Sequence, residues 1–271
     1  MSAPAPEPDT LSAAALRRGL RTRLVGRRID VHERVTSTND VAWELAGLGA
    51  EDGAVVVAEE QTGGRGRLGR TWWSPRGKGL WLSVLLRPPT RAGAVPMTTI
   101  VGALAAADAI RDVTRLRAMI RWPNDVLIDG RKVAGVLVEA RQGARGRDLV
   151  LGIGLDVNVR RAEMPDDFAD AATSLSEELG EPVSRTALAR QVLRELDRWY
   201  QIKLDGDTEA INRRWRELSA TLGRRIELKE QERRYRGEVI EVDVSLGLAL
   251  RLDSGGIRHF RGEHVSRVRH I

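Results

Sequence analysis

Four runs of apolar residues between positions 54 and 159 place the strongest constraint on the fold. The runs are AVVVA at 54–58, LWLSVLL at 80–86, VAGVLV at 133–138 and LVLGIGLDV at 149–157. Strands that are covered on both faces have such near-continuous apolar sequences. The segment TTIVGALAAADAIRDV at 98–113 is apolar on nearly all sides, which predicts a helix buried against them. The chain is therefore expected to form a sheet with helices packed on it.

Sequence signals predict further helices and turns in the rest of the first 221 residues. Residues at 37–40 (STND) supply helix-capping chemistry, and Asp129-Gly130 predicts a tight hairpin turn. The polar segment 141–148 predicts a second turn. The other predicted helices cover the amphipathic stretch 11–28, VAWELAGLG at 41–49, and the amphipathic segments near 186–204 and 208–221.

After Leu222 the sequence changes to short strands separated by regular turns. Five such strands are predicted at 224–229, 234–243, 246–252, 257–262 and 264–269. This spacing is typical of a small barrel. We therefore predict three parts: an N-terminal lead and short helix at 1–28, a main domain at 29–221 and a small β-barrel at 222–271.

Composition narrows the class of protein. Lys and Arg number 44 against 38 for Asp and Glu, so the net charge is +6, which favours anionic partners such as nucleotides, nucleic acid or acidic proteins. The sequence has no cysteine, which excludes disulfides, thiolate metal sites and cysteine nucleophiles. The first ten residues lack a secretory signal and are expected to be disordered, and no apolar stretch reaches the roughly 20 residues that cross a bilayer. A cytoplasmic protein without membrane contact is expected.

A basic, glycine-rich loop is the first candidate site. No acidic residue occurs between Gln61 and Ala107. Gly64 to Gly69 match the G-x-G-x-x-G pattern of dinucleotide-binding folds, but Pro75 prevents the helix that this pattern needs. A Walker A sequence is also absent from the loop. What remains is a mobile loop whose three arginines can bind phosphate or carboxylate, with a solvated basic turn or an RNA-contacting segment as the alternative.

Two further segments place polar or glycine residues where apolar ones are expected. Asn124 and Asp125 are ordinary turn residues, but Lys132 begins a core strand, and a lysine that enters a core usually has a partner. Gly152 and Gly154 lie on one face of the strand GIGLDVNV, where they either allow a flat ligand to approach or mark a bulge.

Taken in order, these segments resemble the biotin–protein ligases. The matching sequences are STN at 37–39, QT at 61–62, GRGRLGR at 64–70, Trp72, Pro75, GLWLS at 79–83, WPND at 122–125, KVAGVLVE at 132–139, GIGLDVNV at 152–159 and ATSL at 172–175. The resemblance extends from about residue 30 to the C-terminus. It implies an α+β fold with a mixed-sheet catalytic domain of the biotin/lipoate ligase type, similar to class II synthetases, followed by a small SH3-like β-barrel.

The resemblance implies an activity in two steps. ATP and biotin form biotinyl-5′-AMP with loss of pyrophosphate, and a lysine of the biotin carboxyl carrier domain of an acyl-CoA carboxylase then accepts biotin as an amide. Mg²⁺ is implied as the carrier of pyrophosphate, although no tight metal cluster is visible in the sequence. A monomer or weak homodimer is expected.

The resemblance also implies roles for the matched residues. Arg67 lies in the loop that closes over the intermediate, Lys132 neutralises the biotin carboxylate and then the phosphate, and Asp125 receives or orients the incoming lysine. The residues implied in biotin binding are Ser37, Thr38, Asn39, Gln61, Arg65, Gly66, Arg67 and Lys132. Those implied on the nucleotide side are Arg65, Arg67, Arg70, Asn124, Lys132, Asn158 and Trp72, the flat wall of the pocket.

Two departures from the family pattern limit this assignment. Asp156 stands where the family often has asparagine, and a carboxylate near a nucleotide is repulsive unless it binds a metal or points away. The segment from Met1 to Val35 has no room for a winged helix, so binding to specific DNA and a repressor role are not expected. The alternatives are a lipoate–protein ligase-like acyl-adenylate transferase and, suggested by the net charge, a nucleic-acid-binding module.

Overall fold

Two β-sheets, with helices packed on the larger one, make up the described part of the chain, which covers residues 9–88, 94–143 and 146–271 of the computed structural model. The helices are α1 Ala13–Arg17, α2 Thr38–Gly47, α3 Ala94–Thr114, α4 Asp166–Ala169, α5 Leu175–Leu179, α6 Arg185–Leu204 and α7 Thr208–Leu218. The strands are β1 Ile29–His32, β2 Val55–Ala58, β3 Gly79–Leu86, β4 Met119–Arg121, β5 Asp125–Ile128, β6 Arg131–Gly143, β7 Gly146–Asp156, β8 Arg225–Glu230, β9 Arg233–Asp243, β10 Gly247–Leu252, β11 Ile257–Phe260 and β12 Val265–His270.

The larger sheet has seven strands in the order β1-β2-β3-β7-β6-β5-β4. β1 and β2 run parallel, and every other neighbouring pair is antiparallel. The four apolar runs form β2, β3, β7 and β6, which lie side by side in the interior of the sheet, because only there are both faces of a strand covered. The predicted α+β fold with a mixed sheet is confirmed.

The two faces of this sheet pack against different helices. Val55 and Val57 of β2 belong to the large core that includes α3 and α6, whereas Val56 packs with Trp43 and Leu45 of α2. α3 lies against α6 on one side and β6 and β7 on the other, which explains why it is apolar all round. Burying a Val or Leu side chain contributes roughly 1.5–3 kcal/mol, so burial on both faces favours this strand order. The predicted buried helix is confirmed.

The start of α2 lies against the middle of the sheet. Ser37 caps the helix, with its hydroxyl 3.3 Å from the Asn39 backbone nitrogen. The cap fixes the side chains of Thr38 and Asn39 beside β3 and β7. The predicted capping role of this segment is confirmed, and the fold thereby places three polar side chains on the α2 face of the sheet.

The two predicted turns between the middle strands have different outcomes. Asp129 and Gly130 adopt positive φ values of 47° and 80°, which agrees with the predicted hairpin turn between β5 and β6. The prediction of a turn over 141–148 is wrong in its extent, because β6 and β7 stay paired as a two-stranded ribbon from Arg141 and Asp148 to Gly143 and Gly146, where the chain reverses. A ribbon that extends beyond the sheet can carry polar side chains on both faces. Residues 144 and 145 of that segment lie outside the described residues.

The prediction of one helix over 11–28 is also wrong. α1 is only five residues long, and Gly19 and Gly26 lie at positive φ beyond it. The Asp197 carboxylate instead accepts hydrogen bonds from the backbone N–H groups of residues 23–25, an arrangement that competes with helix formation. The predicted disordered lead falls mostly on residues 1–8, which lie outside the described residues, whereas Asp9 is bound by Arg185 and Thr186.

The C-terminal sheet has five antiparallel strands in the order β11-β10-β9-β8-β12. Its core contains Leu228, Leu250 and Phe260. The centre of the Tyr235 ring lies 5.0 Å from the centre of the Phe260 ring. All five predicted strands are present, which agrees with the expected small barrel-like domain. Among the described helices, none combines the length and apolar character needed to span a membrane.

Candidate active site

A cavity of about 1080 Å³ opens on the α2 face of the larger sheet. The start of α2, the glycine-rich loop, strands β5 to β7 and the C-terminal strand β12 line it. Of the thirteen sequence-predicted site residues, the cavity lining contains all except Asn158: Ser37, Thr38, Asn39, Gln61, Arg65, Gly66, Arg67, Arg70, Trp72, Asn124, Asp125 and Lys132. Segments far apart in the sequence thus form a single concave site.

One end of the cavity is neutral and hydrogen-bonded. We call Ser37, Thr38, Asn39 and Gln61 the amide cluster. The Gln61 side-chain oxygen accepts hydrogen bonds from the Thr38 backbone nitrogen at 2.9 Å and from the Thr38 hydroxyl at 3.1 Å. The Gln61 amide nitrogen donates to the Ser74 hydroxyl at 2.9 Å. These bonds hold the cluster in one arrangement without any charged group.

Asn39 has a donor that the protein leaves free. Its Oδ1 lies 2.6 Å from the Ser83 hydroxyl, and a Cβ atom at Gly152 would lie 2.5 Å from the same oxygen. The Asn39 Nδ2 atom, by contrast, is buried and has no hydrogen-bond partner among the described residues. A buried donor without a partner costs about 1–3 kcal/mol, so this position favours a ligand with a carbonyl acceptor.

A pair of glycines forms the floor of the cavity. Gly135 of β6 and Gly154 of β7 are paired in register, and the indole of Trp72 lies over both. A Cβ atom would lie 2.8 Å from the Trp72 ring at Gly135 and 2.6 Å from it at Gly154. The glycines are therefore required for this close approach, and the register shows no bulge at Gly152 and Gly154. Trp72 forms a flat wall, as predicted.

Arg65 holds the first part of the glycine-rich loop against α2. Its guanidinium makes two hydrogen bonds to the Asp40 carboxylate, at 2.9 and 2.7 Å, and a third to Glu139 at 3.3 Å. The guanidinium beside Asp40 holds the pKa of that carboxyl below its usual range. Arg65 is therefore ion-paired with two carboxylates of the protein itself.

Arg67 and Arg70 connect the loop to the C-terminal sheet. Arg67 donates to Asn124 Oδ1 at 3.2 Å and to the Val265 carbonyl at 3.0 Å, and it also contacts the Gly262 carbonyl. Arg70 donates to the Ser266 carbonyl at 2.9 Å. Since Arg65, Arg67 and Arg70 all have specific partners, the alternative of a merely solvated basic turn is wrong. The mobility of the free loop stays a prediction.

The other end of the cavity is charged. We call Arg121, Asp125 and Lys132 the charged cluster. Lys132 Nζ lies 2.5 Å from one Asp125 oxygen, and Arg121 lies 2.8 Å from the other. Burial alone would raise the pKa of Asp125, but the charges of Lys132 and Arg121 and their hydrogen bonds lower it below the ordinary value. The expected partner of Lys132 is thus present, and Asp125 is ionised.

Residues 171–173, which overlap the start of the ATSL segment, bind the backbone of Lys132. The Lys132 backbone nitrogen donates to the Ala171 carbonyl, and its carbonyl accepts from Thr173. Lys132 Nζ also lies 4.9 Å from the centre of the Trp72 ring, within the range of a cation–π interaction. Backbone, carboxylate and indole together fix where the positive charge lies in the cavity.

The two asparagines assigned to the nucleotide side have different positions. Asn124 lies in the cavity, where its amide donates to the Val136 carbonyl at 2.8 Å and its oxygen accepts from Arg67. Asn158 lies beyond the end of β7, and both polar atoms of its side chain bind the backbone of Val183 at 2.9 Å. The expectation that Asn158 lines the nucleotide side is therefore not met, because its amide holds the segment before α6.

Sequence reasoning missed several residues that shape the site. Ser83 supports Thr38 and Asn39 from β3, Asp40 binds Arg65, and β12 lines one wall. Ser83 had a visible signal, since a serine inside an apolar strand needs a partner. The position of β12 has no local signal, because it depends on how the second sheet packs.

Comparisons with known proteins agree with this geometry. The model of the biotin/lipoate A/B protein ligase family matches residues 31–156, which include the glycine-rich loop and Lys132. The bifunctional ligase/repressor BirA of Bacillus subtilis is 32% identical over 250 residues, covering 92% of this chain and 77% of the relative. The biotin–[acetyl-CoA-carboxylase] ligase of Paracoccus denitrificans is 35% identical over 228 residues, covering 82% and 93%.

Solved structures give the same result. Biotin protein ligase from Aquifex aeolicus, in complex with biotin and ATP, has a TM-score of 0.79 at 27% sequence identity. The match covers 90% of this chain and 100% of that one. It therefore includes both sheets and not only the region of the family model.

Proposed function

This chain belongs to the biotin/lipoate A/B protein ligase family, and we propose that its cavity is where it joins biotin to ATP and passes biotin on to a carrier protein. The activity is that of a biotin–[acetyl-CoA-carboxylase] ligase. The observation that carries the residue assignment is the free Asn39 donor inside the otherwise satisfied amide cluster.

The amide cluster suits the fused urea ring of biotin. A urea has one carbonyl acceptor and two N–H donors, and a buried site must offer a partner to each. The Asn39 Nδ2 atom can donate to the carbonyl, while the hydroxyls of Ser37 and Thr38 can accept from N–H groups. The dithiolane ring of lipoate has no such donors or acceptors, so this end of the cavity favours biotin over lipoate.

The charged cluster suits the adenylation step. Attack of the biotin carboxylate on the α-phosphate of ATP brings two anions together, so the site must supply fixed positive charge. Lys132 lies beside Trp72 and the glycine floor, in the cavity that the amide cluster and the loop arginines also line. We propose that Lys132 leaves Asp125 for the ligand anions, and that Arg67 and Arg70 close the loop over the adenylate.

Asp125 is proposed to act in the transfer step. Once Lys132 binds the adenylate, one oxygen of the half-buried Asp125 carboxylate is free to accept a hydrogen bond from the amine of the incoming carrier lysine. Arg121 still binds the other oxygen and keeps the group ionised. The neutral amine then attacks the acyl carbon, AMP leaves with the electrons of the acyl–phosphate bond, the nitrogen releases one proton to solvent, and biotin is attached as an amide.

Mg²⁺ is proposed to enter with ATP. No cluster of three or more His, Asp or Glu side chains suited to a metal ion occurs in the described ranges. The donor set therefore fits a metal held mainly by the phosphates, where it would neutralise the departing pyrophosphate. We also propose a cytoplasmic location, because ATP is a substrate and the chain has no cysteine.

The overall reaction can be tested by intact-mass spectrometry. The enzyme is incubated with ATP, Mg²⁺, biotin and a biotin carboxyl carrier domain, and the carrier should gain the mass of one biotinyl group. A carrier in which the target lysine is replaced by arginine is the matched control and should gain nothing. A carrier that stays unmodified, or a control that is modified equally, contradicts the proposal.

A further inference from the structure

Asp156 is a carboxyl group in the cavity to which the reaction described above gives no role. It is the last residue of β7 and contributes to the cavity lining. Its side chain makes no hydrogen bond or ion pair with any other described residue. In this respect it differs from Asp125 and Asp40, the carboxylates that hold the site's lysine and its first arginine. A cavity carboxyl without a partner is available to a ligand.

Burial and the charge of Lys132 act on the pKa of Asp156 in opposite directions, because burial raises it and Lys132 lowers it. The elements beside it carry Lys132 on β6, Asp125 on β5, Lys78 before β3, Glu163 in the turn after β7 and Asp167 on α4. Lys78 is ion-paired with Glu163, and Lys132 is ion-paired with Asp125. Burial therefore outweighs the field of Lys132 and raises the pKa of Asp156 to about 8. At neutral pH this carboxyl carries its proton.

The substrates make an ionised Asp156 still less favourable. The biotin carboxylate and the α-phosphate are both anions that need Lys132, and a charged Asp156 would compete for the same cation. A protonated carboxyl instead offers an O–H donor to an anionic oxygen. In this it is similar to the amide of an asparagine, which also offers a donor.

We propose that Asp156 is a ligand-binding residue that works as a neutral acid, donating a hydrogen bond to an anionic oxygen of the adenylate beside Lys132. The inference rests on the proposed function of the cavity. Ionisation of Asp156 removes the donor and adds a repulsive charge, so alkaline pH weakens binding of the nucleotide. Asp156→Asn keeps a donor without the titration, and this variant should therefore bind adenylate equally well over the whole pH range.

The first test is biotin-dependent exchange of pyrophosphate into ATP as a function of pH. From pH 7 to pH 9 the wild type should lose about tenfold in kcat/KM for ATP, because the neutral fraction of an acid falls about tenfold per pH unit above its pKa. For Asp156→Asn, kcat/KM for ATP should stay constant over this range, apart from any loss that all variants share. Asp167→Asn, which changes another cavity carboxyl, is the matched control and should follow the wild type.

The second test measures proton uptake on ligand binding instead of enzyme activity. Binding of a non-hydrolysable biotinyl-AMP analogue is followed by calorimetry near pH 9 in buffers of different ionisation enthalpy. The wild type and Asp167→Asn should take up a proton on binding, and Asp156→Asn should not. Equal proton uptake in all three proteins would overturn the inference.

Other outcomes are equally clear. If Asp156→Asn loses exchange at every pH while its melting curve stays cooperative, the ionised carboxylate is needed and the inference is wrong. If the variant instead needs more Mg²⁺ with no change in pH dependence, Asp156 acts on the metal and the inference is also wrong. If the wild type shows no biotin-dependent exchange at any pH, it is the proposed function that fails.

Discussion

The two ends of the cavity differ in charge and in how their side chains are held. The amide cluster is neutral, its side chains are fixed by a helix cap and by hydrogen bonds to Gln61 and Ser83, and one donor is left free. The charged cluster is held by ion pairs within the protein, and in the proposed mechanism Lys132 exchanges Asp125 for a ligand anion. Under the proposed function, biotin would meet side chains that are already fixed, whereas the charges for adenylation would become available only when substrates replace their protein partners.

The largest expected effect is the loss of adenylation when Lys132 of the charged cluster is replaced. Lys132→Ala removes the positive charge that the adenylation step needs, so biotin-dependent pyrophosphate exchange should fall by roughly 100-fold or more. Arg121 still neutralises Asp125, so the variant should fold. Lys78→Ala, which breaks the ion pair with Glu163, is the control and should exchange normally. Exchange at the wild-type rate in Lys132→Ala would show that Lys132 has no part in adenylation.

At the neutral end the corresponding change is Asn39→Ala. Loss of one buried donor to the urea carbonyl should raise the KM for biotin by about 10-fold to 100-fold, with a smaller effect on the KM for ATP. Asn158→Ala is the matched control, because its amide binds Val183 outside the cavity. The control should lower thermal stability but leave both KM values unchanged. An unchanged KM for biotin in Asn39→Ala would remove the amide cluster from biotin recognition.

A change in the glycine-rich loop should have an effect of intermediate size. Arg67→Gly removes the hydrogen bonds to Asn124 and Val265 and adds backbone freedom of roughly 1 kcal/mol or more, which favours the open loop. Biotinyl-AMP should then escape about tenfold faster and label lysines of bystander proteins, while adenylation stays measurable. Release is measured in single-turnover reactions.

Protease digestion provides a second readout for the same loop. In the wild type, biotin plus ATP should protect the segment from Arg65 to Arg70, and Arg67→Gly should weaken that protection. Arg76→Gly, whose ion pair with Glu33 lies outside the cavity lining, is the control. Equal protection and unchanged release in Arg67→Gly would show that Arg67 does not retain the intermediate.

The smallest expected effect is the pH dependence of stability. Because folding raises the pKa of Asp156 to about 8, the folded state keeps a proton that the unfolded state loses above about pH 4. The melting temperature of the wild type should therefore fall relative to that of Asp156→Asn as pH rises from about 4 to 8, and the difference should level off above pH 8. A difference that is constant over this range would show that folding leaves the pKa of Asp156 unperturbed.

The sequence predicts the middle of the fold and much of the site. The runs that form β3 and β7 are apolar on both faces, and this pattern leaves few places for them except the interior of a sheet. The helix cap at Ser37 is predicted because capping is a local feature, whereas the grouping of this segment with Gln61 came from the family resemblance. Lys132 is predicted because a lysine in a core strand needs a partner, which the structure identifies as Asp125.

The sequence predictions fail where contacts between residues far apart in the sequence determine the structure. The backbone near Val25 is held by Asp197, so the leucine spacing at 11–28 does not produce a long helix. Asn158 lies beyond the end of β7, and strand ends are poorly determined by local sequence. The contact of Arg67 with Val265 joins two sheets, and nothing in either segment alone indicates it.

The central claim is that a preformed biotin site adjoins a charged adenylation site. Its most direct test is exchange of pyrophosphate into ATP by the wild-type enzyme. The exchange is measured with biotin, with lipoate, with both and with neither. The amide cluster and Lys132 together predict exchange with biotin, none without it, none with lipoate alone, and no competition by lipoate. Exchange in the absence of biotin, or equal exchange with lipoate, would contradict the assignment of the two ends.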